Sequence, residues 1–263
     1  MRPVQKLFFL GLLFSLLSFL PISISESETE FDLENKANPR LNSITSPMVD
    51  DFLVNDDTGS VDQYQPDIAA DSAGNFRIAW LDYRDFHTNI YSQRYNSSGV
   101  PVGANVRLTD DSSAGWRYDP AFSMNSSGDF VIAWACDCAD GATLNVDIYA
   151  QKYDALGTAS GSLIKANDDA GDAYQDFPAA AIDDRGSFVI TWHDSRDGNF
   201  DIYAQRYNST GIPLGTNFKV NDDTGTTMQE LPGIAVDGFG NYVIAWSDER
   251  NGKWDIYAQR FNA

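Results

Sequence analysis

One recurrent stretch decides the fold of this chain: Asp194-Ser-Arg-Asp-Gly-Asn-Phe-Asp-Ile-Tyr-Ala-Gln-Arg-Tyr-Asn208. Four near-copies of it occur, and the tryptophans that head them are spaced by 54, 58 and 54 residues. The same spacings separate a recurrent proline and a recurrent aspartate. A period of this size indicates repeats in which each copy is one supersecondary unit. The equivalent positions are Trp80, Trp134, Trp192 and Trp246; Pro66, Pro120, Pro178 and Pro232; and Asp56, Asp110, Asp168 and Asp222.

The third copy shows what the unit is. Apolar and β-branched runs at 178–183 and 187–192 predict two strands joined by a turn that contains Gly186. Residues 201–207 alternate apolar with polar side chains, which predicts a third strand, and residues 217–220 predict a short outer strand. Antiparallel units of this kind, without helical periodicity, are typical of β-propeller blades. The sequence therefore predicts an all-β fold, a β-propeller of four blades of about 54 residues with four antiparallel strands each.

The N-terminal strand is expected to close this ring. Residues 51–54 match residues 217–220, the outer strand of the third copy, whereas the fourth copy has only three predicted strands. We therefore expect residues 51–54 to complete the last blade. Four blades is the low end of the range for propellers, so head-to-tail or dimeric assembly stays open as an alternative.

The region before the repeats has the pattern of an export signal. Arg2 and Lys6 precede an uncharged apolar run at 7–20, which Pro21 ends. This run is too short to span a bilayer and is typical of a secretory signal peptide. We predict a signal peptide at 1–25, a flexible polar leader at 26–49 and a repeat domain at 50–263. The mature protein is expected to be secreted, periplasmic or on the cell surface, without membrane insertion.

The strongly acidic composition excludes some partners. The formal net charge is −20, from 18 basic and 38 acidic residues. Such a surface repels phosphate backbones and anionic lipid headgroups, so we expect no nucleic-acid partner.

The two cysteines, Cys136 and Cys138, are too close together to close a long loop. A local disulfide, a bond to another chain and free thiols all stay open.

The order of the strands gathers polar loops on one face of the predicted propeller. Because successive strands run in opposite directions, the repeated Asn-Asp-Asp loops and the loops that follow each tryptophan lie at the same end. Carboxylates, amides and exposed aromatic rings there can bind sugar hydroxyls or anchor a protein partner. Turn formation is the structural alternative for the Asn and Asp residues. The predicted ligand-binding residues are Asp56, Gln63, Asp110, Trp116, Arg117, Tyr118, Asp168, Gln175, Asp222, Gln229 and Trp254.

A second set of carboxylates suggests calcium, because Ca²⁺ prefers oxygen ligands. The helix-loop-helix calcium motif is absent. In the other interpretation, each loop aspartate caps backbone amides and pairs with the arginine two residues later, which fixes the turn. The predicted metal ligands are Asp194, Asp197, Asp201, Asp248 and Asp255.

The fourth copy carries a resemblance to a known repeat. Its residues 232–246 read Pro-x-x-Ala-x-Asp-x-x-Gly-Asn-x-x-Ile-Ala-Trp, and Asp248-Glu-Arg-Asn-Gly-Lys-Trp-Asp-Ile-Tyr257 follows. This pattern resembles the TolB-type β-propeller repeat of exported bacterial proteins. The resemblance implies a scaffold for protein or glycan contacts and says almost nothing about activity.

The function expected from these patterns is a secreted, non-catalytic binding or scaffold module that recognises a glycan or protein, with Ca²⁺ as a candidate cofactor. Catalysis by two carboxyls needs unlike environments, whereas the loop carboxylates recur as equivalents. An exported glycan-active hydrolase is the alternative, and it requires a symmetry-breaking acid pair in a central pocket. A structural cell-surface protein that forms homo-oligomers is the second alternative.

Overall fold

A computed structural model describes residues 50–85, 87–109, 115–137, 146–169 and 171–263. The described residues form strands and no helix, so none of their segments could cross a membrane as a helix. The strands are arranged in four antiparallel sheets, each following the chain order. This confirms the all-β fold and the repeated antiparallel unit. The predicted signal peptide at 1–25 and leader at 26–49 lie outside the described residues.

Each sheet corresponds to one copy of the repeat. Sheet 1 contains β1 (Gln63–Ala70), β2 (Phe76–Asp82), β3 (Asn89–Tyr95) and β4 (Pro101–Arg107). Sheet 2 contains β5 (Arg117–Met124), β6 (Phe130–Cys136), β7 (Asp147–Tyr153) and β8 (Ala159–Lys165). Sheet 3 contains β9 (Gln175–Ile182), β10 (Phe188–Asp194), β11 (Asp201–Tyr207) and β12 (Phe218–Lys219). Sheet 4 contains β13 (Gln229–Val236), β14 (Tyr242–Asp248) and β15 (Asp255–Phe261).

The turn between the first two strands of a sheet shows why the copies fold alike. In sheet 3 the Asp183 carboxylate accepts hydrogen bonds from the backbone N–H groups of Arg185 and Ser187, at 2.9 and 2.8 Å. Gly186 has φ 83°, a left-handed conformation that glycine adopts without steric cost. The β-branched and aromatic residues of β10 then pair with β9 and β11.

The hydrophobic core lies between consecutive sheets. Ala79 and Ile90 of sheet 1 belong to the same buried cluster as Ile132 and Trp134 of sheet 2. Sheets 2 and 3, and then sheets 3 and 4, are joined by equivalent clusters. The central strands are therefore buried on both faces, which explains their nearly continuous apolar sequences.

The two outermost sheets keep one face open. Ile256 of β15 is 78% exposed, whereas the equivalent Ile90, Ile148 and Ile202 are 0% exposed. Ile68 of sheet 1 is 56% exposed, while Phe122 at the same position of sheet 2 is 7% exposed.

The predicted closure of the ring is not seen. Residues 51–54 form no strand, and β15 is the last strand of its sheet. The segment contacts sheet 1 instead: the Asn105 side-chain amide donates to the Val54 carbonyl at 3.2 Å, and Phe52 packs on Tyr95 with ring centroids 5.3 Å apart.

Truncating a core side chain should destabilise the protein strongly. Ile190 is fully buried in the cluster between sheets 2 and 3, so Ile190→Ala leaves a cavity. We expect a loss of about 2–5 kcal/mol in the free energy of unfolding, measured by denaturant titration. Leu156→Ala, at a side chain that is 76% exposed, is the control and should change stability by less than about 0.5 kcal/mol. Similar losses in the two variants would contradict this account of the core.

Candidate active site at the meeting point of the first strands

The loop aspartates after each repeated tryptophan are structural. Asp194 is fully buried and accepts hydrogen bonds from Trp192 Nε1 at 2.8 Å and from the backbone N–H and guanidinium of Arg196 at 2.9 and 2.7 Å. The same guanidinium reaches Asp168 at 2.8 Å and lies 4.3 Å above the Tyr203 ring. Asp82 with Arg84, and Asp248 with Arg250, repeat the arrangement.

The charges of this motif compensate one another. Burial alone would raise the pKa of Asp248, but hydrogen bonds from Arg250 and Trp246 outweigh it and lower that pKa to about 2. The Asp248 carboxylate is therefore ionised and neutralised by arginine, as in the turn-fixing interpretation of the sequence.

The five predicted calcium ligands are held by other partners. Asp194 and Asp248 bind arginine, Asp201 binds Lys219 Nζ at 2.7 Å, and Asp255 binds Lys253 Nζ at 3.0 Å. Asp197 accepts a hydrogen bond from the Tyr203 hydroxyl at 2.7 Å. Within the described ranges, no three carboxylate, histidine or cysteine groups come together as a metal site would require.

The predicted ligand-binding ring is dispersed. Gln175, Gln229 and Arg117 are buried, and Gln175 and Gln229 bond to the asparagines Asn167 and Asn221 at 3.0 Å. Gln63 receives the equivalent bond from Asn55, at 3.2 Å. Asp56, Asp168 and Asp222 pair with Arg84, Arg196 and Arg250, while Asp110 lies outside the described residues. These polar groups join neighbouring segments of the chain and do not converge on a ligand site.

The predicted aromatic residues are placed differently from one another. Trp116 is 39% exposed and contacts Tyr83 and His87, and Tyr83 also contacts Tyr64. Tyr118, half-buried, donates to Asp137. Trp254 is half exposed on sheet 4. Trp116, Tyr83, Tyr64 and His87 thus form an aromatic cluster at the junction of sheets 1 and 2.

The first strands of the sheets meet around a cavity of about 280 Å³. Each of these strands has a break in its pairing just before the repeated proline. The residue that precedes the proline has a positive φ of 45–56°, which is unusual for a residue with a side chain. All of these residues line the cavity: Gln65, Asp119, Phe177 and Leu231.

Asp119 lines the cavity and contacts a buried carboxyl beside it, that of Asp176, which does not itself line the cavity. Asp119 accepts a hydrogen bond from the Gln65 side-chain amide, and its own backbone N–H donates to Gln65 Oε1 at 3.1 Å. The Asp119 carboxyl also contacts that of Asp176, one residue before Phe177. Burial, and then the negative charge of Asp119, raise the pKa of Asp176 to about 6. The Asp176 carboxyl is steadied by the Tyr174 hydroxyl at 2.9 Å and the Phe177 N–H at 2.8 Å.

Another carboxyl lines the cavity from sheet 1. Asp67 accepts backbone N–H bonds from Ile68 and from Phe122 of sheet 2, both at 2.8 Å. Burial raises its pKa, and the two hydrogen bonds partly oppose this effect.

Sequence reasoning missed Asp67, Asp119 and Asp176. Each occurs in only one copy of the repeat, and the available signal was that the positions flanking the repeated proline differ between copies.

Comparisons with known proteins define the fold. No family model and no curated protein matches the chain. Penicillium chrysogenum α-L-arabinanase, solved with arabinobiose, is similar over 76% of this chain and 65% of that one, at 12% identity and a TM-score of 0.50. An endo-arabinase from Bacteroides thetaiotaomicron is similar over 75% and 74% of the two chains, at 16% identity and a TM-score of 0.45. The likeness to the Penicillium enzyme shows a β-propeller fold.

These findings correct the expected function. The expectation of a non-catalytic binding or scaffold module is contradicted, because the fold is similar to that of an arabinanase. The repeated loop carboxylates are equivalent to one another, but Asp67 at the cavity and Asp176 beside it are not, and their environments differ. The alternative of a glycan-active hydrolase is better supported.

A buried histidine beside the cavity should make stability depend on pH. His193 packs between Phe177 and Phe200, and neither ring nitrogen has a hydrogen-bond partner among the described residues. Burial lowers its pKa from 6.5 to about 4, although Asp194 opposes the shift. The unfolded chain therefore binds a proton more readily than the folded chain. The contribution of neutral His193 to the free energy of unfolding is complete above pH 6.5 and is lost as the pH falls towards 4.

His193→Phe should remove this dependence. We expect roughly 3 kcal/mol less variation in unfolding free energy between pH 6.5 and 4 than in the wild type, measured by denaturant titration at each pH. The control is His87→Gln, at an exposed side chain, which should keep the wild-type dependence. An unchanged pH profile in His193→Phe would contradict the assignment.

Proposed function

We propose that this protein is an exported glycan-active hydrolase whose reacting groups are the carboxyls at and beside the cavity. The pairing of Asp119 with Asp176 carries the proposal: burial, and then the negative charge of Asp119, raise the pKa of Asp176 to about 6. Two carboxyls so close together cannot both ionise easily, so the pair retains a proton up to about pH 6. Glycoside cleavage needs such a protonated acid to donate to the leaving oxygen.

The three carboxyls divide the chemistry between them. Asp176 is the general acid, and Asp119 is the positioning residue that keeps it protonated. Asp67 lines the same cavity and is the second carboxylate, which attacks the sugar or activates water. The two N–H bonds that Asp67 accepts hold it in one orientation. The other copies of the repeat have alanine or glycine at its position, so this group is available on one side of the cavity only.

A glycan substrate also accounts for the aromatic cluster at sheets 1 and 2. Tyr64 immediately precedes Gln65, which lines the cavity, and Trp116 in the same cluster presents an exposed ring. Aromatic faces stack on sugar rings while nearby polar groups take the hydroxyls. The similarity to an arabinanase fold supports a glycan ligand and makes arabinan the first substrate to test.

Other parts of the proposal rest on the sequence. Export depends on the predicted signal peptide at 1–25, and the relation to TolB-type repeats depends on the resemblance of residues 232–257. The frame proposed for the site is an arrangement of four propeller blades.

Removing the carboxyls at and beside the cavity should abolish hydrolysis. Asp176→Asn and Asp67→Asn are each expected to lower kcat roughly 10²–10⁴-fold, because each removes an acid–base group. The measurement is release of reducing sugar from arabinan and a panel of neutral glycans, with folding checked by thermal melting. The control is Asp172→Asn, at an exposed carboxylate that does not line the cavity, which should retain full activity.

The pH profile gives an independent readout. Since Asp176 must be protonated to donate, wild-type kcat/KM should fall as the pH rises through about 6. Asp119→Asn removes the neighbouring charge, so the fall in kcat/KM should move to lower pH. Wild-type protein that cleaves none of the glycans, or variants as active as the control, would refute the proposal.

Trp116 should act on binding more than on chemistry. Trp116→Ala removes an exposed stacking surface but no acid or base, so KM should rise roughly three- to ten-fold with kcat nearly unchanged, equivalent to about 0.7–1.4 kcal/mol. Initial rates over a range of glycan concentrations give KM and kcat separately. Phe239→Ala, at a ring that is 71% exposed in the turn at the far end of β13, is the matched control and should change neither constant. A selective loss of kcat in Trp116→Ala would contradict a binding role.

A further inference from the structure

The open edge of β15 is an incomplete copy of a junction that is formed elsewhere in the molecule. At the end of sheet 3, the Val220 N–H donates to the Ile202 carbonyl at 2.7 Å. Asn221 follows, and its side chain accepts from the Ile202 N–H and donates to Asp201, both at 2.8 Å. At the end of sheet 2, Ala166 and Asn167 bind Ile148 and Asp147 in the same manner. In both sheets, an apolar residue followed by asparagine forms hydrogen bonds to an Asp-Ile pair.

Sheet 4 offers the acceptor half of this junction. Asp255 and Ile256 repeat the Asp-Ile pair at the start of β15. Ile256 is 78% exposed, whereas its counterparts in the other sheets are 0% exposed. Gln259 is also exposed, while the equivalent Gln205 is buried and donates to the Gly215 carbonyl on the outer side. The edge is thus an unpaired row of backbone groups beside an apolar face, a template for strand addition.

The N-terminal segment offers the donor half. Val54 and Asn55 match Val220 and Asn221 in sequence. Asn55 already makes one of the junction bonds, to Gln63, as Asn221 does to Gln229. The Val54 carbonyl and Asp56 N–H bind Asn105, as the Ala166 carbonyl and Asp168 N–H bind Asn217. One side of the segment is therefore engaged as in a complete junction, and the side that would meet an Asp-Ile pair is not.

We propose that a second copy of this chain completes the junction: residues 54–55 of one molecule dock on Asp255 and Ile256 of another. Within one molecule the two halves do not pair: residues 54–56 bond to Asn105 of sheet 1, and Ile256 of β15 stays 78% exposed. Apolar side chains beside the donor segment and the acceptor edge are also exposed, at Ile68 and Ile256. Docking of one molecule on another would bury both. Exchange of equivalent elements between copies is a common route to a symmetric dimer.

Two variants separate donor from acceptor. Val54→Pro removes the single N–H that the junction needs from Val54 but keeps its carbonyl for Asn105. Ile256→Asp places a charge on the acceptor edge, at a side chain that is exposed in one molecule. Each should weaken self-association of the full chain roughly ten-fold or more, measured by sedimentation over a range of concentrations. Leu156→Asp, at a side chain exposed to a similar degree on sheet 2, is the control and should associate like the wild type.

Mixing the two variants is the decisive step. Val54→Pro retains an intact acceptor edge and Ile256→Asp an intact donor segment, so a mixture should form a one-to-one heterodimer through one good junction. Exchange of β15 amide hydrogens with solvent should slow on association. A wild-type chain that stays monomeric, or a mixture that stays monomeric while the wild type associates, would overturn the proposal. Monomers with slowly exchanging β15 amides would show that the segment closes the ring within its own chain.

Discussion

A fully buried carboxylate at the end of each second strand ties one segment of the chain to the next. Asp194 holds the Trp192 indole and the Arg196 guanidinium, and Arg196 extends the tie to Asp168 on the preceding linker. The carboxylate has left water, so it depends on these donors, and removing one partner would leave an uncompensated charge. The tryptophan can pack between sheets because its polar N–H is satisfied. Packing and charge compensation are therefore properties of the same few residues.

This constraint determines where chemistry can occur. The repeated aspartates that dominate the sequence are neutralised by arginine or lysine, and their side chains are committed to the scaffold. Burial raises the pKa of Asp67, at the cavity, and of Asp176 beside it, and both carboxyls bond to backbone N–H groups or a tyrosine hydroxyl instead of to a cation. The abundance of a residue type in the repeat is thus a poor guide to its reactivity.

The sequence predicted what recurs and missed what does not. The strands, turns and inter-sheet tryptophans follow from local propensity and period, and the structure reproduces the strand at 201–207 residue for residue. The carboxyls at and beside the cavity were missed because comparing copies favours shared positions, whereas Asp67, Asp119 and Asp176 are each unique to one copy. The path of residues 51–54 was also not predictable. Their match to 217–220 identifies the kind of edge they fit, but a match between segments carries no information on which edge lies within reach.

The positive φ of the residue before each repeated proline has a further consequence. The scaffold bears the cost of this conformation, about 1–2 kcal/mol for a residue with a side chain, and it does so for glutamine, aspartate, phenylalanine and leucine alike. The backbone conformation around the cavity is therefore the same whichever side chain is present. Natural selection can exchange the groups that face the cavity one at a time without redesigning a sheet, so the same architecture can acquire, lose or relocate a reactive centre by single substitutions.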